Sequence, residues 1–227
     1  METTETIEMK QPEFEIKGGY KKTNIGCIPE DWDVFQLESI VLDGTQNGIY
    51  KSDSDNGLMC ELVNMKEIFR DNVITNEIPM RIIRLNDSEK KRFLLFEGDL
   101  LFARRSLALE GVGKCSIVGK LNKPTTFESS IIRTSPDPEK VQSKYLFFYL
   151  QSEKGKNKML SFARQVAVSG VTGKDLLKYP VPIPPLPEQK EIAEILSTWD
   201  DAIEQNQKLL EQLKLRKKGL MQRLLTG

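Results

Sequence analysis

The last forty residues of the chain constrain its fold more than any other stretch. From Glu188 to Leu225 the apolar residues recur at alternating spacings of four and three, which is the pattern of a helix that pairs with another helix in a coiled coil. At about 1.5 Å per residue this helix is a rod of about 57 Å, so a single domain cannot bury it from end to end and a partner helix is expected. The seam consists of Ile192, Leu196, Trp199, Ile203, Asn206, Leu210, Leu213, Leu220 and Leu224, with Lys217 as its other polar position besides Asn206.

The charges along this helix predict the direction of its partner. Between Glu188 and Glu204 there are six acidic residues and one basic residue, and from Gln205 onward there are six basic residues and one acidic residue. An antiparallel pair of identical helices matches acid to base at both ends and brings Asn206 near the two-fold axis, whereas a parallel pair opposes like charges. The alternative is that the charges only complement the helix macrodipole, but that effect fades within a turn of each end.

Five prolines precede the helix within residues 180–187. Each proline lacks an amide donor and disfavours helical geometry in the residue before it, so this segment is predicted to be an extended strap. We expect the helix to begin directly after Pro187, at Glu188.

The strap and both ends of the helix carry a family resemblance. The sequences PPLPEQKEIAEIL at residues 184–196 and KKGLMQRLLTG at residues 217–227 closely resemble the conserved region of the DNA-specificity subunits of type I restriction-modification systems. In that family a globular target-recognition domain is followed by such a helix, and the unit is normally repeated, with the two helices packed antiparallel. With 227 residues, the chain looks like one half of the usual family protein.

The resemblance and the sequence pattern together imply an α+β fold, with one mixed α/β target-recognition domain followed by a long coiled-coil helix. The expected organisation is a mobile tail at residues 1–19 and a DNA-binding domain at residues 20–179. The domain is followed by the proline strap at residues 180–187. The last expected element is a helix at residues 188–227, for dimerisation and methyltransferase docking.

Short apolar runs separated by turn residues predict the elements of the domain. A long irregular loop is expected at residues 43–57, where three glycines occur with Asn, Asp and Ser, and residues 58–69 are expected to form a strand followed by a polar turn. The other predicted elements are strands near residues 81–85, 99–103, 115–118 and 129–134, a helical turn at 88–93, and helices at 142–151 and 154–163. The aromatic residues expected to pack in the core are Trp32, Tyr145, Phe147, Phe148 and Phe162.

Candidate DNA contacts are polar side chains of predicted loops and strand ends. Asparagine and glutamine amides can pair with adenine edges, and the planar guanidinium of arginine suits guanine edges or phosphate oxygens. The alternatives are a merely solvated loop at 43–57, arginines paired on the surface with Glu110 or with solvent, and a purely structural turn at residues 170–174. The candidates are Gln46, Asn47, Tyr50, Lys51, Arg81, Arg84, Arg104, Arg105, Lys114 and Lys174.

The composition argues against a catalytic or metal site. The chain has no histidine, the usual general base and metal ligand, and its three cysteines are scattered without a C-x-x-C spacing. No phosphate-binding or dinucleotide-binding glycine motif has the required spacing. We therefore expect no catalytic residues, no metal and no cofactor. The acidic N-terminal segment and the lack of a long apolar run predict a cytoplasmic protein without a membrane span.

The expected function is that of a non-catalytic specificity subunit. Net charge is zero, and the part between residues 19 and 187 carries 24 basic and 21 acidic residues, so modest DNA affinity is expected from one copy. The resemblance implies that the chain recognises a half-site in double-stranded DNA and positions methyltransferase subunits, and through them the restriction subunit. A second copy would complete a bipartite site as a homodimer. The alternative is a coiled-coil protein-interaction module that does not bind DNA, and an enzyme in its own right is the third possibility.

Overall fold

The structure is a computed structural model, and it describes residues 19–50, 57–105, 111, 113–166 and 170–226. The strands are β1 (Tyr20–Thr23), β2 (Gly26–Pro29), β3 (Asp33–Gln36), β4 (Val41–Asn47), β5 (Leu58–Val63), β6 (Val73–Ile74), β7 (Arg81–Leu85), β8 (Leu100–Ala103), β9 (Cys115–Val118), β10 (Thr125–Phe127), β11 (Ile131–Pro136) and β12 (Pro180–Ile183). The helices are α1 (Met65–Arg70), α2 (Asp87–Phe93), α3 (Ser143–Gln151), α4 (Glu153–Val166), α5 (Gly173–Leu177) and α6 (Leu186–Thr226). The predicted mixed α/β domain followed by a long helix is confirmed.

A five-stranded sheet with the order β4-β11-β8-β9-β6 lies at the centre of the domain. Its middle strand, β8, is buried on both faces because successive side chains point to opposite sides of the sheet. Leu100 and Phe102 pack in a core cluster with the side chains of α3, whereas Leu101 and Ala103 pack in a second cluster with Ile68 of α1. The sheet therefore separates two hydrophobic layers.

A three-stranded sheet with the order β10-β5-β7 covers a third apolar cluster. The segment after β5 is the short helix α1 and not the predicted polar turn, because Asn64 and Glu67 form a reciprocal capping box that starts a helix. The predicted strand at 129–134 is shifted to Ile131–Pro136. The predicted strands at 81–85, 99–103 and 115–118 and the three predicted helical segments of the domain are confirmed, apart from one to three residues at their ends.

The predicted loop at 43–57 is wrong in its first part. β4 continues through Asn47, since Gln46 and Asn47 pair with Arg133 and Ile132 of β11. Two of the turn-forming residues, Asp43 and Gly44, lie within the strand and have positive φ values of 51° and 68°. The pairing register shifts at this point, as in a β-bulge. Residues 51–56 of this loop, and residues 1–18 of the predicted tail, lie outside the described residues.

The proline strap is partly extended and partly helical. β12 pairs with β3, with Pro182 opposite Val34, so the first half is extended as predicted. The helix begins at Leu186, two residues earlier than predicted, and contains Pro187. A proline fits the first turn of a helix because the amide that it lacks has no partner there.

The predicted core aromatics pack where the strap meets the domain. The Trp32 ring makes an edge contact with Tyr145 at 6.2 Å between centroids, and its indole nitrogen donates to Glu188 Oε2 at 3.1 Å. Phe162 packs edge-on against Tyr179, and Phe147 and Phe148 belong to the same layer. Trp32 thus links Glu188, near the start of α6, to Tyr145 of α3.

Most of α6 extends beyond the domain. Its 41 residues correspond to about 61 Å. Ala193 is the last buried residue, and every residue from Ile203 to Leu225 is exposed. Within the part of the chain that the structure describes, no helix is long and apolar enough to cross a membrane.

Candidate nucleic-acid interface

One end of the five-stranded sheet collects strand termini from four parts of the sequence. β11 runs antiparallel to β4 and to β8, and β9 runs antiparallel to β8. The C-terminal ends of β4 and β8 therefore lie beside the N-terminal ends of β11 and β9. β6 is parallel to β9, so Asn72, which precedes β6, lies at the same end of the strands. We call this end of the five-stranded sheet the sheet end.

Five predicted candidates are at the sheet end. Gln46 and Asn47 close β4, and Tyr50 follows with 94% of its side chain exposed, so its ring takes no part in the core. Arg104 and Arg105 follow β8, and the Arg104 amide donates to the Ser130 carbonyl at 3.0 Å across the sheet.

Lys114 is the sixth candidate at the sheet end. It precedes β9, and its carbonyl accepts a hydrogen bond from the amide of Ala103 at 2.8 Å, one residue before Arg104. Successive strand pairings thus place candidates that are more than sixty positions apart in the sequence at the same end of one sheet, with β11 and β8 between β4 and β9.

Lys174 lies beside the sheet end through close backbone contacts. The amide of Val171 donates to the Arg104 carbonyl at 3.1 Å, and a Cβ atom on Gly173 would clash with Thr45 Oγ1. Only glycine permits this approach between the 170–174 turn and β4. The Thr172 hydroxyl caps α5 by accepting from the Asp175 amide, so the turn has the structural role that the sequence left open, and Lys174 is exposed next to it.

The remaining candidates are not brought to the sheet end. Arg81 and Arg84 lie on β7, at the edge of the three-stranded sheet, opposite Leu62 and Met59 of β5. They are exposed and three residues apart on one strand, so they point to opposite faces. Lys51 lies outside the described residues.

A cleft of about 540 Å³ adjoins the sheet end between β9 and α4, and sequence reasoning missed it. Lys114 and Lys156 line it together with Asn72 and Gln151. The Lys114 ammonium donates to the Phe69 carbonyl at 3.1 Å, and the Gln151 amide nitrogen donates to the Cys115 carbonyl at 2.8 Å. No sequence signal marks Lys156, because it occupies the polar face of an amphipathic helix and reaches the cleft only through the packing of α4 on β9.

The pKa values of Lys114 and Cys115, two titratable groups that line the cleft, are shifted in opposite directions. Burial lowers the pKa of Lys114, and the neighbouring charge of Lys156 lowers it further, whereas Asp71 acts in the opposite direction. Burial raises the pKa of the Cys115 thiol far above its ordinary value. Cys115 is therefore an inert core thiol and not a nucleophile. Among the described residues, no group of three or more His, Cys, Asp or Glu side chains could hold a metal ion.

The seam of α6 is exposed along most of its length. Trp199 is 66% exposed and Leu210 is 52% exposed, so the domain does not cover them. Ile192, the first seam residue, packs instead against the domain core. The Asn206 side chain donates to the Ala202 carbonyl of its own helix at 2.8 Å. The other seam residues beyond the domain are exposed as well: Leu196, Ile203, Leu213, Leu220 and Leu224.

Comparison with known proteins identifies the family. Residues 29–215 match the family model described as the type I restriction modification DNA specificity domain. A putative type I restriction enzyme MjaX specificity subunit of Methanocaldococcus jannaschii is 32% identical over 216 residues, which are 94% of this chain and 50% of that protein. The MjaVIII specificity subunit of the same organism is 31% identical over 220 residues, with the same two shares.

A solved structure shows the same fold. The HsdS subunit from Thermoanaerobacter tengcongensis matches with a TM-score of 0.56 at 18% identity, covering 82% of this chain and 41% of that one. The chain spans about half the length of the curated relatives that it matches. Because the family model covers most of its residues, the chain belongs to the family of type I restriction-modification DNA specificity domains.

Proposed function

We propose that this chain is a non-catalytic DNA-recognition unit of a type I restriction-modification system, whose domain reads one half-site. The observation that carries the proposal is the sheet end, where the segments that carry Asn47, Tyr50, Arg104, Arg105 and Lys114 lie at the same end of one sheet although they come from three separate stretches of sequence. Family membership supports DNA as the ligand.

The side chains at the sheet end suit base recognition. Arginine donates a two-pronged hydrogen-bond pattern that matches the guanine edge in the major groove, and asparagine matches the adenine edge. Lysine contributes to phosphate binding without reading sequence. The sheet end thus holds residue types for base reading and for phosphate binding. The role of α6 is separate from DNA recognition.

In this proposal α6 pairs antiparallel with the α6 of a second copy and holds two recognition domains apart. The exposed seam and the reversal from acidic to basic residues around Asn206 support this arrangement. The paired helices also present a surface for methyltransferase subunits, through which a restriction subunit would be positioned. The domain carries no catalytic step and needs no cofactor of its own.

A coiled-coil interaction module that does not bind DNA is the second candidate. The zero net charge favours it, because a protein that binds DNA through many phosphates is usually basic. The two functions differ in whether the domain selects a DNA sequence.

Selection from a pool of random duplexes tests the proposal. Wild-type protein should enrich a defined base pattern. The double variant Arg104→Gln/Arg105→Gln should weaken that preference by roughly tenfold or more, since a bidentate base contact contributes about 1–3 kcal/mol of discrimination. The double variant Arg81→Gln/Arg84→Gln makes the same charge change on the other sheet and should keep the pattern. No enrichment by the wild type would favour the interaction module, and an unchanged pattern in the first variant would remove Arg104 and Arg105 from the reading surface.

A further inference from the structure

The Lys114–Lys156 cleft combines two cationic groups with several amides. It lies between the start of β9 and the face of α4, and Asn72, Gln151 and Asn157 also line it. Lysine ammonium groups and amide nitrogens are hydrogen-bond donors, so the cleft is rich in donors. A group with several acceptor oxygens would accept from the two ammonium groups and from the Asn72 and Asn157 amides, whereas the Gln151 amide nitrogen already donates to the Cys115 carbonyl.

The charges of the two lysines repel each other, and the Asp71 carboxylate offsets part of this effect on Lys114. The charge of Lys156 is close enough to lower the pKa of Lys114, and neither ammonium forms an ion pair with any carboxylate that the structure describes. Glu153 is the one described carboxylate that lines the cleft, and the cleft keeps a net positive charge with Glu153 ionised. An anion between the two lysines would relieve their repulsion.

The position of the cleft indicates the source of that anion. Hydrogen bonds of Ala103 with Gly113 and Lys114 join the cleft to the arginines that follow β8. A duplex bound at the sheet end would carry its backbone phosphates past this corner of the domain. A phosphate has several strong acceptor oxygens and a negative charge, which is what the donors of the cleft can accommodate.

We infer that the Lys114–Lys156 cleft is a preformed site for one backbone phosphate of DNA. This inference rests on the proposed function, and it assigns the cleft an anchoring role that is separate from base reading by the arginines. Lys114 is held in place by its bond to the Phe69 carbonyl, so the site keeps one ammonium oriented before DNA arrives. Lys156 is exposed and closes on the phosphate from α4.

The salt dependence of DNA binding by the full chain tests this inference. Losing one phosphate contact should reduce the slope of log K against log salt by about 1. We expect this reduction in Lys156→Gln and in Lys114→Gln/Lys156→Gln, with equal weakening on the selected sequence and on a scrambled duplex. Lys154→Gln removes the same charge from α4 outside the cleft lining and should keep the wild-type slope. Glu153→Gln should bind DNA at least as tightly as the wild type.

Each outcome has a distinct meaning. Wild-type binding with an unchanged slope in Lys156→Gln overturns the phosphate site and leaves the proposed function standing. No DNA binding by the wild type at low salt overturns both. Titration with inorganic phosphate distinguishes the two sources of phosphate: saturable binding that Lys156→Gln abolishes, together with an unchanged DNA slope, would assign the cleft to free phosphate and overturn the DNA assignment.

Discussion

Thr134 is a buried residue whose hydroxyl has no hydrogen-bond partner among the described residues. It lies in β11, between β4 and β8, and 1% of its surface is exposed. Among the described residues, Thr134 Oγ1 is the one buried polar side-chain atom that has no hydrogen-bond partner. A desolvated hydroxyl costs free energy when nothing replaces its bonds to water. Thr134→Val keeps the shape and removes that cost. We expect the free energy of unfolding, measured by urea denaturation, to rise by about 1 kcal/mol.

Thr126 is the matched control for this substitution. It is also fully buried, but its hydroxyl donates to the Phe93 carbonyl at 2.9 Å. Thr126→Val leaves that carbonyl unpaired and should lower the free energy of unfolding by about 1–2 kcal/mol. Equal effects of the two substitutions would contradict the assignment of bonded and unbonded hydroxyls.

Single residues were predictable from sequence only where chemistry and local pattern coincide. Arg104 and Arg105 stand out because they end an apolar strand, and Lys114 because it follows a glycine-containing loop. Their convergence at one edge depends on strand order, which no local pattern encodes. Lys156 was not among the predicted candidates because its place in the cleft depends on the packing of α4, and the DNA contacts of Arg81 and Arg84, which lie on the other sheet, stay predictions.

Gln189 fixes the start of α6 against the domain. Its side chain is fully buried, its Oε1 accepts from the Gln142 amide at 2.8 Å, and its Nε2 donates to the Pro184 carbonyl at 2.8 Å and the Lys140 carbonyl at 3.2 Å. Gln189→Ala would leave one buried and two partly buried backbone groups without these bonds. We expect the free energy of unfolding of the domain to fall by roughly 2–5 kcal/mol, as measured by denaturant titration.

An exposed glutamine of the same helix provides the comparison. Gln207→Ala makes the same change where the side chain is exposed and should alter stability by less than about 0.5 kcal/mol. If Gln189→Ala were as mild as this control, the junction would not depend on the buried amide.

Elements were predictable where hydrophobic periodicity was strong. α6, α3 and the buried strands follow their patterns, since burial of one face dominates their stability. The segment of β4 was predicted to be a loop because Asp43, Gly44 and Asn47 are turn-forming residues. In the structure the segment pairs with β11, and Asp43 and Gly44 form a bulge in the strand. The start of α6 was misplaced because Pro187 was taken to end the strap, although a proline is compatible with the first helical turn.

At the scale of the whole molecule, the exposed seam predicts an assembly. If two copies of α6 pair antiparallel with Asn206 on the two-fold axis, Glu194 of one copy lies opposite Lys218 of the other. A mixture of a Glu194→Cys copy and a Lys218→Cys copy, each without the three native cysteines, should form the mixed crosslink with a short bismaleimide. Crosslinks of Glu194→Cys to itself would indicate parallel helices, and a stable monomer in light scattering at micromolar concentration would exclude self-pairing.

If two copies pair as proposed, the symmetry of the assembly constrains its target. Two identical recognition domains related by a two-fold axis would read inverted copies of one half-site, and the length of α6 would set their separation. The overall architecture was predictable because the helix pattern is specific, whereas the bases that the domain reads are not, because loop geometry and DNA shape also contribute to specificity.

Mapping of DNA methylation in cells that carry this chain and its cognate methyltransferase tests whether the domain selects the methylated sequence. We expect methylation within a split motif whose halves are inverted repeats, and replacement of residues 20–179 by the domain of another family member should change both halves while the spacing stays the same. The same motif after that replacement would contradict recognition by this domain.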